Sequence, residues 1–237
     1  MRTHTTVRLT FLVAVGVGVA AGIVSGLLLV TRGTTTTESA ATILQKSSVS
    51  QMQALASLGP NTTLHSINTR YREGASTDGA TVFVVPNDTI DEVFISFDAT
   101  GKISAYSGAK RGTDGHVYQR TELVGDNLVT TDVASGSTLP TLQRVTTITA
   151  DAWRADREKN LQRIALLLTP ADLARDGGVV NSVPAYVIAM PANRFYIGKS
   201  DYRLLRSEQL APDGHVTEYT VQTVQEVLPG IVTAPTP

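Results

Sequence analysis

The stretch EVFISFDATGKISAYSGAK (residues 92–110) indicates the fold of this chain most directly. In an extended strand, Val93, Ile95 and Phe97 lie on one face, and the residues between them lie on the other. The sequence ATG (residues 99–101) then has the composition of a tight turn, and a second extended segment follows it. The stretch therefore predicts two neighbouring strands of an antiparallel sheet.

Short alternating segments of this kind make up most of the chain after residue 64. Turn-forming dipeptides such as Asp-Gly and Asn-Asp separate them. Since successive short strands joined by tight turns pair antiparallel, the pattern predicts two meanders. The predicted strands are residues 64–73, 80–85, 92–98, 102–110, 116–124 and 127–133, followed by 179–190, 194–198, 202–210 and 215–228. A disordered tail is predicted over residues 229–237.

Three segments have helical periodicity instead. A helix is predicted over residues 40–58, with Ser39 as its N-cap and a Gly-Pro pair after its end. A second helix is predicted over residues 151–168, and a short third one over residues 170–176. A sheet must bury one side, and the helices are the available cover. The order of elements therefore predicts an α+β fold over residues 40–228, a curved antiparallel sheet covered by helices.

The N-terminal part of the chain predicts a membrane anchor. Residues 9–30 contain no charged side chain, and a helix of this length spans about 33 Å, enough to cross the hydrocarbon core of a membrane. Arg2 and Arg8 precede the segment, which predicts that residues 1–8 are cytoplasmic. The chain after the linker of residues 31–39 is then extracytoplasmic. The alternative is a cleaved signal peptide, whose apolar core is usually only about 7–15 residues long. The sequence favours a single retained span in the cell membrane.

Small residues recur every four positions within this apolar segment. In a lipid bilayer such a row allows two helices to pack closely, which predicts a homodimer through the transmembrane helix. The alternative explanation is that glycine is simply common in membrane helices. The residues of the row are Ala14, Gly18, Gly22 and Gly26.

The composition excludes some partners. The chain has 20 Lys and Arg residues against 21 Asp and Glu residues, a formal net charge of −1, and no basic stripe. Nucleic acid is therefore not a predicted partner. The chain has no cysteine, which suits a bacterial envelope protein better than a small secreted eukaryotic domain.

No motif in the sequence predicts catalysis or a cofactor. The sequence SGAK (residues 107–110) matches the Ser-x-x-Lys pattern of penicillin-interacting enzymes, but the partner motifs Ser-Asp-Asn and Lys-Thr-Gly are absent. The four histidines are isolated, and none has a second metal ligand at helical or hairpin spacing. We therefore expect a protein that is not an enzyme and that holds neither a metal nor a cofactor. A hydrolase assembled from distant strands is the minor alternative.

Asp88, Asp91 and Glu92 form a small acidic cluster between predicted strands. Carboxylates bind Ca²⁺, but the regular alternate spacing of a calcium-binding loop is missing here. A solvated loop between two strands is the favoured interpretation.

The second half of the chain resembles a known family. The residues that carry the resemblance are VPAYVI (183–188), YI (196–197), YRLLRSEQL (202–210), PDG (212–214) and VQEVLP (224–229). This succession resembles the C-terminal part of the lipoprotein-carrier (LolA-like) superfamily, which includes regulators of the RseB type. The resemblance implies an incomplete barrel with helices as a lid, and a lipid or lipoprotein as ligand.

A ligand would bind to the side of the sheet that faces the helices. The leading hypothesis is a membrane-anchored bacterial envelope protein that binds a lipid or acyl chain under helical lids. The alternative is an extracytoplasmic protein-interaction or sensor module that regulates a membrane partner. Apolar side chains at strand positions are the candidate ligand-lining residues, and the competing interpretation is that they fill a closed core. The candidates are Phe83, Val85, Val93, Ile95, Phe97, Tyr186, Ile188 and Met190.

Overall fold

The computed structural model describes residues 38–73, 88–165, 168 and 172–232. The predicted membrane segment of residues 9–30 lies outside the described residues, as does its row of small residues. Within the described part, neither α-helix is both long enough and apolar enough to span a membrane.

Within the described residues, eleven strands form a single antiparallel sheet, and two α-helices accompany it. The helices are α1 (Ala40–Ala54) and α2 (Ala150–Ala165), and a 3-10 turn (Val145–Thr147) precedes α2. The strands of the first meander are β1 (Thr62–Arg72), β2 (Asp88–Phe97), β3 (Ile103–Gly112), β4 (Val117–Val124), β5 (Asn127–Asp132) and β6 (Thr138–Arg144). Those of the second are β7 (Arg175–Val180), β8 (Val183–Met190), β9 (Asn193–Gly198), β10 (Leu204–Leu210) and β11 (Val216–Pro229).

The two meanders are joined side by side through β1 and β11. The strand order is β6-β5-β4-β3-β2-β1-β11-β10-β9-β8-β7, so each meander runs outward from the central pair. Among the described residues β6 and β7 are the edge strands and do not pair with each other, which leaves the sheet open. The α+β class and the antiparallel sheet with accompanying helices are thus confirmed.

The first helix begins where the sequence predicts. The Ser39 side chain accepts a hydrogen bond from the backbone N–H of Thr42 (3.2 Å), which satisfies one of the free donors at the helix start. The helix ends at Ala54, four residues before the end predicted from the sequence.

Two apolar clusters lie between the helices and the sheet. In the first, Leu55 and Trp153 contribute from the helical layer to a core on β1, β2 and β3. In the second, Ile43 and Leu44 of α1 pack with residues of β8, β9 and β10. Helix α1 and the residues directly after it therefore contribute to both clusters, and burial of these side chains is the main stabilising term.

The predicted short helix over residues 170–176 is wrong for the residues that the structure describes. Leu173 forms an isolated bridge with Ser39, and Arg175 and Asp176 begin β7. The reason lies in the glycines that follow, which do not end a helix. They form an irregularity in the pairing of β7 with β8, where a Cβ at Gly177 would meet the backbone of the neighbouring strand at 3.0 Å.

Residues 179–190, which were predicted to form a single strand, contain the end of β7, a turn and the whole of β8. Asn181 and Ser182 form this two-residue turn, and both have positive φ angles, 47° and 65°. Positive φ at both central positions defines a type I′ turn, which matches the twist of a hairpin. Strand β6, which the sequence analysis did not predict, contains Pro140 and lies at the edge, where a missing N–H is tolerated.

The tail predicted to be disordered over residues 229–237 is held in place as far as Val232. Pro229 belongs to β11, and the carbonyl oxygen of Gly230 accepts a hydrogen bond from the Thr63 hydroxyl (2.8 Å). The backbone N–H of Val232 donates to the same hydroxyl oxygen (2.9 Å), and its carbonyl accepts from the Ser96 hydroxyl (3.0 Å). No sequence pattern predicts these hydrogen bonds. They correct the prediction of disorder for residues 229–232. Residues 233–237 lie outside the described residues.

Candidate functional site

The side of the sheet that faces the helices divides into two halves of opposite character. At one end of the strands, Leu64, Ile95 and Phe97 lie in the first apolar cluster. We call this end the apolar half. At the other end of the same strands, the residues in phase with them are Asn68 and Asp91. We call this end the polar half.

A cavity of about 120 Å³ opens in the polar half beside the second meander. Its apolar wall is formed by Ile164 near the end of α2, Met190 at the end of β8 and Phe195 of β9. Its remaining wall is polar and comes from β9, β10 and β11. The residues of the polar wall are Asn193, Ser207, Glu208, Gln209, Glu218, Tyr219 and Thr220. One cavity thus combines apolar and hydrogen-bonding surfaces, a composition typical of ligand sites.

Glu218 links this cavity to the first meander. Its carboxylate accepts a hydrogen bond from Nε of Arg70 (2.9 Å) and forms an ion pair with the same guanidinium (2.7 Å). Arg72 adds a longer contact to the same carboxylate (3.7 Å). Since Arg70 lies on β1 and Glu218 on β11, charged side chains continue from the cavity wall onto the central strand of the sheet.

Four polar residues continue across the next strands in register. Asn68 of β1 is opposite Asp91 of β2, Asp91 is opposite Lys110 of β3, and Lys110 is opposite Gln119 of β4. Residues directly opposite in antiparallel strands point to the same face, with Cβ atoms about 4.5–5.5 Å apart. We call Asn68, Asp91, Lys110 and Gln119 the polar row.

Three members of the polar row are almost completely buried. The exposed fractions of Asn68, Asp91 and Gln119 are 3%, 5% and 5%. Nδ2 of Asn68, Oδ1 of Asp91 and Nε2 of Gln119 have no hydrogen-bond partner in the structure. Buried polar atoms are normally paired, and three of the eight unpaired ones among the described residues lie in this row.

The electrostatics of the polar row are governed by burial. Desolvation raises the pKa of the Asp91 carboxyl above its usual range, against the opposing influence of the nearby Lys110 and Arg70 cations. Burial also raises the pKa of the Tyr106 hydroxyl, and the neighbouring Asp91 adds to that effect. Tyr106 is opposite Ile95 on the same face and marks the boundary with the apolar half.

The predicted ligand-lining residues are distributed unequally. Met190 lines the cavity, and Tyr186 packs at the margin of the second apolar cluster. Four others are core residues with exposed fractions of 5% or less and do not line this cavity. These are Val93, Ile95, Phe97 and Ile188. Phe83 and Val85 lie outside the described residues.

Most of the cavity and all of the polar row consist of residues that were not predicted as ligand-lining. Asp91 was the one residue with an available signal, because it is in phase with Val93 along β2 and must face the same side. The interpretation of Asp88, Asp91 and Glu92 as a solvated acidic loop is wrong, since all three belong to β2. The strand places Asp91 on the helix-facing side and directs Glu92 to the opposite side, where it contacts His65 (3.1 Å).

Within the described part of the chain, no group of three or more His, Asp or Glu side chains is arranged to hold a metal ion. His65 lies between Glu226 (2.8 Å) and Glu92 on the outer side of the sheet. His215 contacts Asp213 (2.6 Å) and Glu73 (2.9 Å) at an exposed turn.

Comparisons with known proteins give similarities to solved structures. No family model matches the chain. No curated protein matches it either. A chain of the MucA/MucB complex of Pseudomonas aeruginosa is similar at 15% identity and a TM-score of 0.38, covering 82% of this chain and 58% of that one. A LolA superfamily protein from Nitrosomonas europaea is similar at 11% identity and a TM-score of 0.27, covering 83% of this chain and 96% of that one.

An uncharacterised conserved protein from Thermus thermophilus is also similar, at 11% identity and a TM-score of 0.35, covering 81% of this chain and 88% of that one. The chain spans about three fifths of the length of the MucB structures that it matches. One of these structures is from the superfamily that the sequence resembles.

Proposed function

We propose that this chain is a non-enzymatic protein of the bacterial cell envelope that binds a hydrophobic ligand, a lipid or an acyl chain, at the cavity. In this proposal residues 9–30 anchor it to the membrane and residues 38–232 form the extracytoplasmic binding domain. The observation that carries the proposal is the cavity wall of Ile164, Met190 and Phe195 at the margin of the helix–sheet interface.

The volume of the cavity limits how much ligand it can hold. A volume of about 120 Å³ is smaller than the roughly 300–1,000 Å³ of typical small-molecule pockets. It therefore accommodates the end of an acyl chain rather than a whole lipid. The rest of the ligand would lie along the polar half of the sheet.

The chemistry of the lining supports an amphiphilic ligand. Each buried methylene group contributes about 0.8 kcal/mol when it leaves water, and this requires only apolar neighbours such as Met190 and Phe195. The polar wall at Asn193, Gln209 and Glu218 offers hydrogen bonds to a polar group. A ligand with an apolar end and a polar end matches both walls.

Photo-crosslinking tests this proposal. The full chain is reconstituted in phosphatidylcholine nanodiscs and illuminated with a fatty acid that carries a diazirine near its methyl end. Labelling is expected on peptides that line the cavity. Met190→Trp should lower this labelling at least about tenfold, because the indole displaces two or more methylenes from the cavity.

Ala189→Trp is the matched control. Ala189 neighbours Met190 on β8, is exposed and points to the opposite side of the sheet. This variant should be labelled like the wild type. Labelling that is equal in both tryptophan variants would contradict binding at the cavity.

A second function, a protein-interaction module, is supported by a feature on the outer side of the sheet. The Arg206 guanidinium lies over the ring of Tyr219 (4.1 Å) and near that of Tyr196 (5.8 Å), and Tyr71 stacks on Tyr219 (5.2 Å). Tyrosine and arginine are the residues enriched in protein interfaces. Absence of lipid labelling at the cavity would favour this alternative.

A further inference from the structure

We propose that the polar row binds the anionic head group of an amphiphile, a carboxylate or a phosphate, whose acyl end occupies the cavity. The inference rests on the proposed function, because it concerns the other end of the same ligand. It adds a chemical class for that ligand and a set of residues that recognise it.

The polar row lies close to the cavity. Thr220 in the cavity wall is opposite Arg70 on β1, and Arg70 holds Glu218 of the same wall. Asn68 lies two residues before Arg70 on the same face of β1, and Asp91 is its partner on β2. Because neighbouring strands are about 4.8 Å apart, the row begins roughly one to two strands from the cavity wall. One amphiphile can therefore reach both places.

The unpaired atoms of the polar row favour a ligand with hydrogen-bond acceptors. Nδ2 of Asn68 and Nε2 of Gln119 are hydrogen-bond donors without an acceptor, and both side chains are more than nine-tenths buried. An amide nitrogen donates and cannot accept, so a ligand that satisfies these two groups must present acceptor atoms. The third unpaired atom, Oδ1 of Asp91, can donate to such an acceptor once the carboxyl is protonated, the form that burial favours. Carboxylate and phosphate oxygens are the strongest acceptors among common head groups.

The charges near the polar row also favour an anionic ligand. Lys110 lies between Asp91 and Gln119 in the register and forms no ion pair within the part of the chain that the structure describes. Arg70 adds a second cation close enough to influence Asp91. Burial raises the pKa of Asp91, which reduces the negative charge that this carboxyl would otherwise set against an anion. The charge of Arg70 is paired with Glu218, so it is Lys110 that would attract an anion and repel a cationic head group.

Three probes that share one diazirine-bearing chain test the inference with the full protein in phosphatidylcholine nanodiscs. The first probe is the free fatty acid, the second is its methyl ester, and the third is the corresponding lysophosphatidic acid. The wild type should be labelled about tenfold more strongly by an anionic probe than by the ester, because a charge-assisted hydrogen bond is lost in the ester. The stronger of the two anionic probes shows whether the head group is a carboxylate or a phosphate.

Lys110→Gln should reduce labelling by the preferred anionic probe about tenfold, to the level of the ester. Gln119→Glu should reduce it as well, because it places a second carboxylate in the row. Thermal denaturation of each variant establishes that it is folded. Lys102→Gln is the control, since Lys102 is exposed just before β3 and lies far from the row along that strand.

The outcomes separate this inference from the proposed function. Labelling that depends on Met190 but is equal for the ester and both anionic probes would overturn the head-group site and leave acyl binding intact. A preference for anions that persists in Lys110→Gln and Gln119→Glu would also overturn it. Labelling by all probes that ignores Met190→Trp would contradict the proposed function itself.

Discussion

The apolar half and the polar half of the helix-facing side are built on the same strands, yet they bury opposite kinds of side chain. On β1 the inward residue is Leu64 in the apolar half and Asn68 in the polar half, and on β2 the corresponding residues are Ile95 and Asp91. All four are at least 95% buried. Strand alternation thus decides which side a residue faces, but it does not decide whether that side is apolar.

The difference has an energetic meaning. Apolar burial in the first half stabilises the fold, whereas the unpaired atoms of Asn68, Asp91 and Gln119 in the second half cost stability. Buried polar atoms without hydrogen-bond partners are found mainly at functional sites, where a ligand can supply the missing hydrogen bonds. The unpaired atoms therefore agree with the proposal that the polar half binds the ligand, while the apolar half stabilises the fold.

The largest effect is expected from placing a polar residue in the apolar half. Leu64→Asn removes a side chain that is 2% exposed and buries an amide among Ile95 and Phe97. Lost apolar burial and an unsatisfied amide together should lower the free energy of unfolding by about 4 kcal/mol. Denaturant titration of the full chain in detergent measures the change. A loss below about 1 kcal/mol would mean that this half is not closely packed.

The reverse exchange in the polar half should have a smaller effect of opposite sign. Asn68→Leu keeps the approximate volume and removes a buried donor that has no acceptor. We expect a gain of about 1 kcal/mol in the free energy of unfolding without ligand. The same titration tests it, with Leu64→Asn as the matched exchange on the same strand. Clear destabilisation would show that the Asn68 amide contributes to the fold.

The smallest effect is a pH dependence that arises from Asp91. Its carboxyl has a raised pKa in the folded protein, because burial disfavours the charged form. The stability that goes with protonation is therefore fully present below the unfolded value of about 3.8 and is lost as the pH rises through the folded value. Asp91→Asn cannot ionise at this position and should escape that loss.

The melting temperatures of the wild type and Asp91→Asn, compared from pH 3.5 to pH 7, measure this effect. We expect the difference to grow in favour of the variant as the pH rises above about 3.8. Asp132→Asn is the control, since the Asp132 carboxyl is exposed and its pKa is lowered by hydrogen bonds from Ser135. Its difference from the wild type should move in the opposite direction, and parallel curves for the two variants would refute the assignment to burial.

Much of the fold could be predicted from the sequence because its signals are local. Period-two alternation on both sides of a glycine turn predicts the hairpin of β2 and β3, and Ser39 as an N-cap predicts the start of α1. The prediction of a short helix over residues 170–176 was wrong because it also rested on a local signal. In the sequence alone, the pair Gly177-Gly178 is typical of a helix end. In the structure, the two glycines form an irregularity where β7 pairs with β8.

Less of the candidate site could be predicted. Met190 was among the predicted lining residues, but Ile164 and Glu218 reach the same cavity from distant parts of the chain. Asp91 read as part of an acidic loop, because the sequence does not show that Asn68 and Lys110 flank it across two strand pairs.

The sequence by itself determined the alternation of strands and turns, the two main helices, the antiparallel class of the sheet and a prediction of a membrane anchor over residues 9–30. These features depend on residues within about ten positions of one another, such as a period of two or a capping side chain. The tertiary structure alone decided that β1 pairs with β11 and that Asn68, Asp91, Lys110 and Gln119 form one row. Register between strands is fixed by packing across the whole sheet, so no local signal contains it.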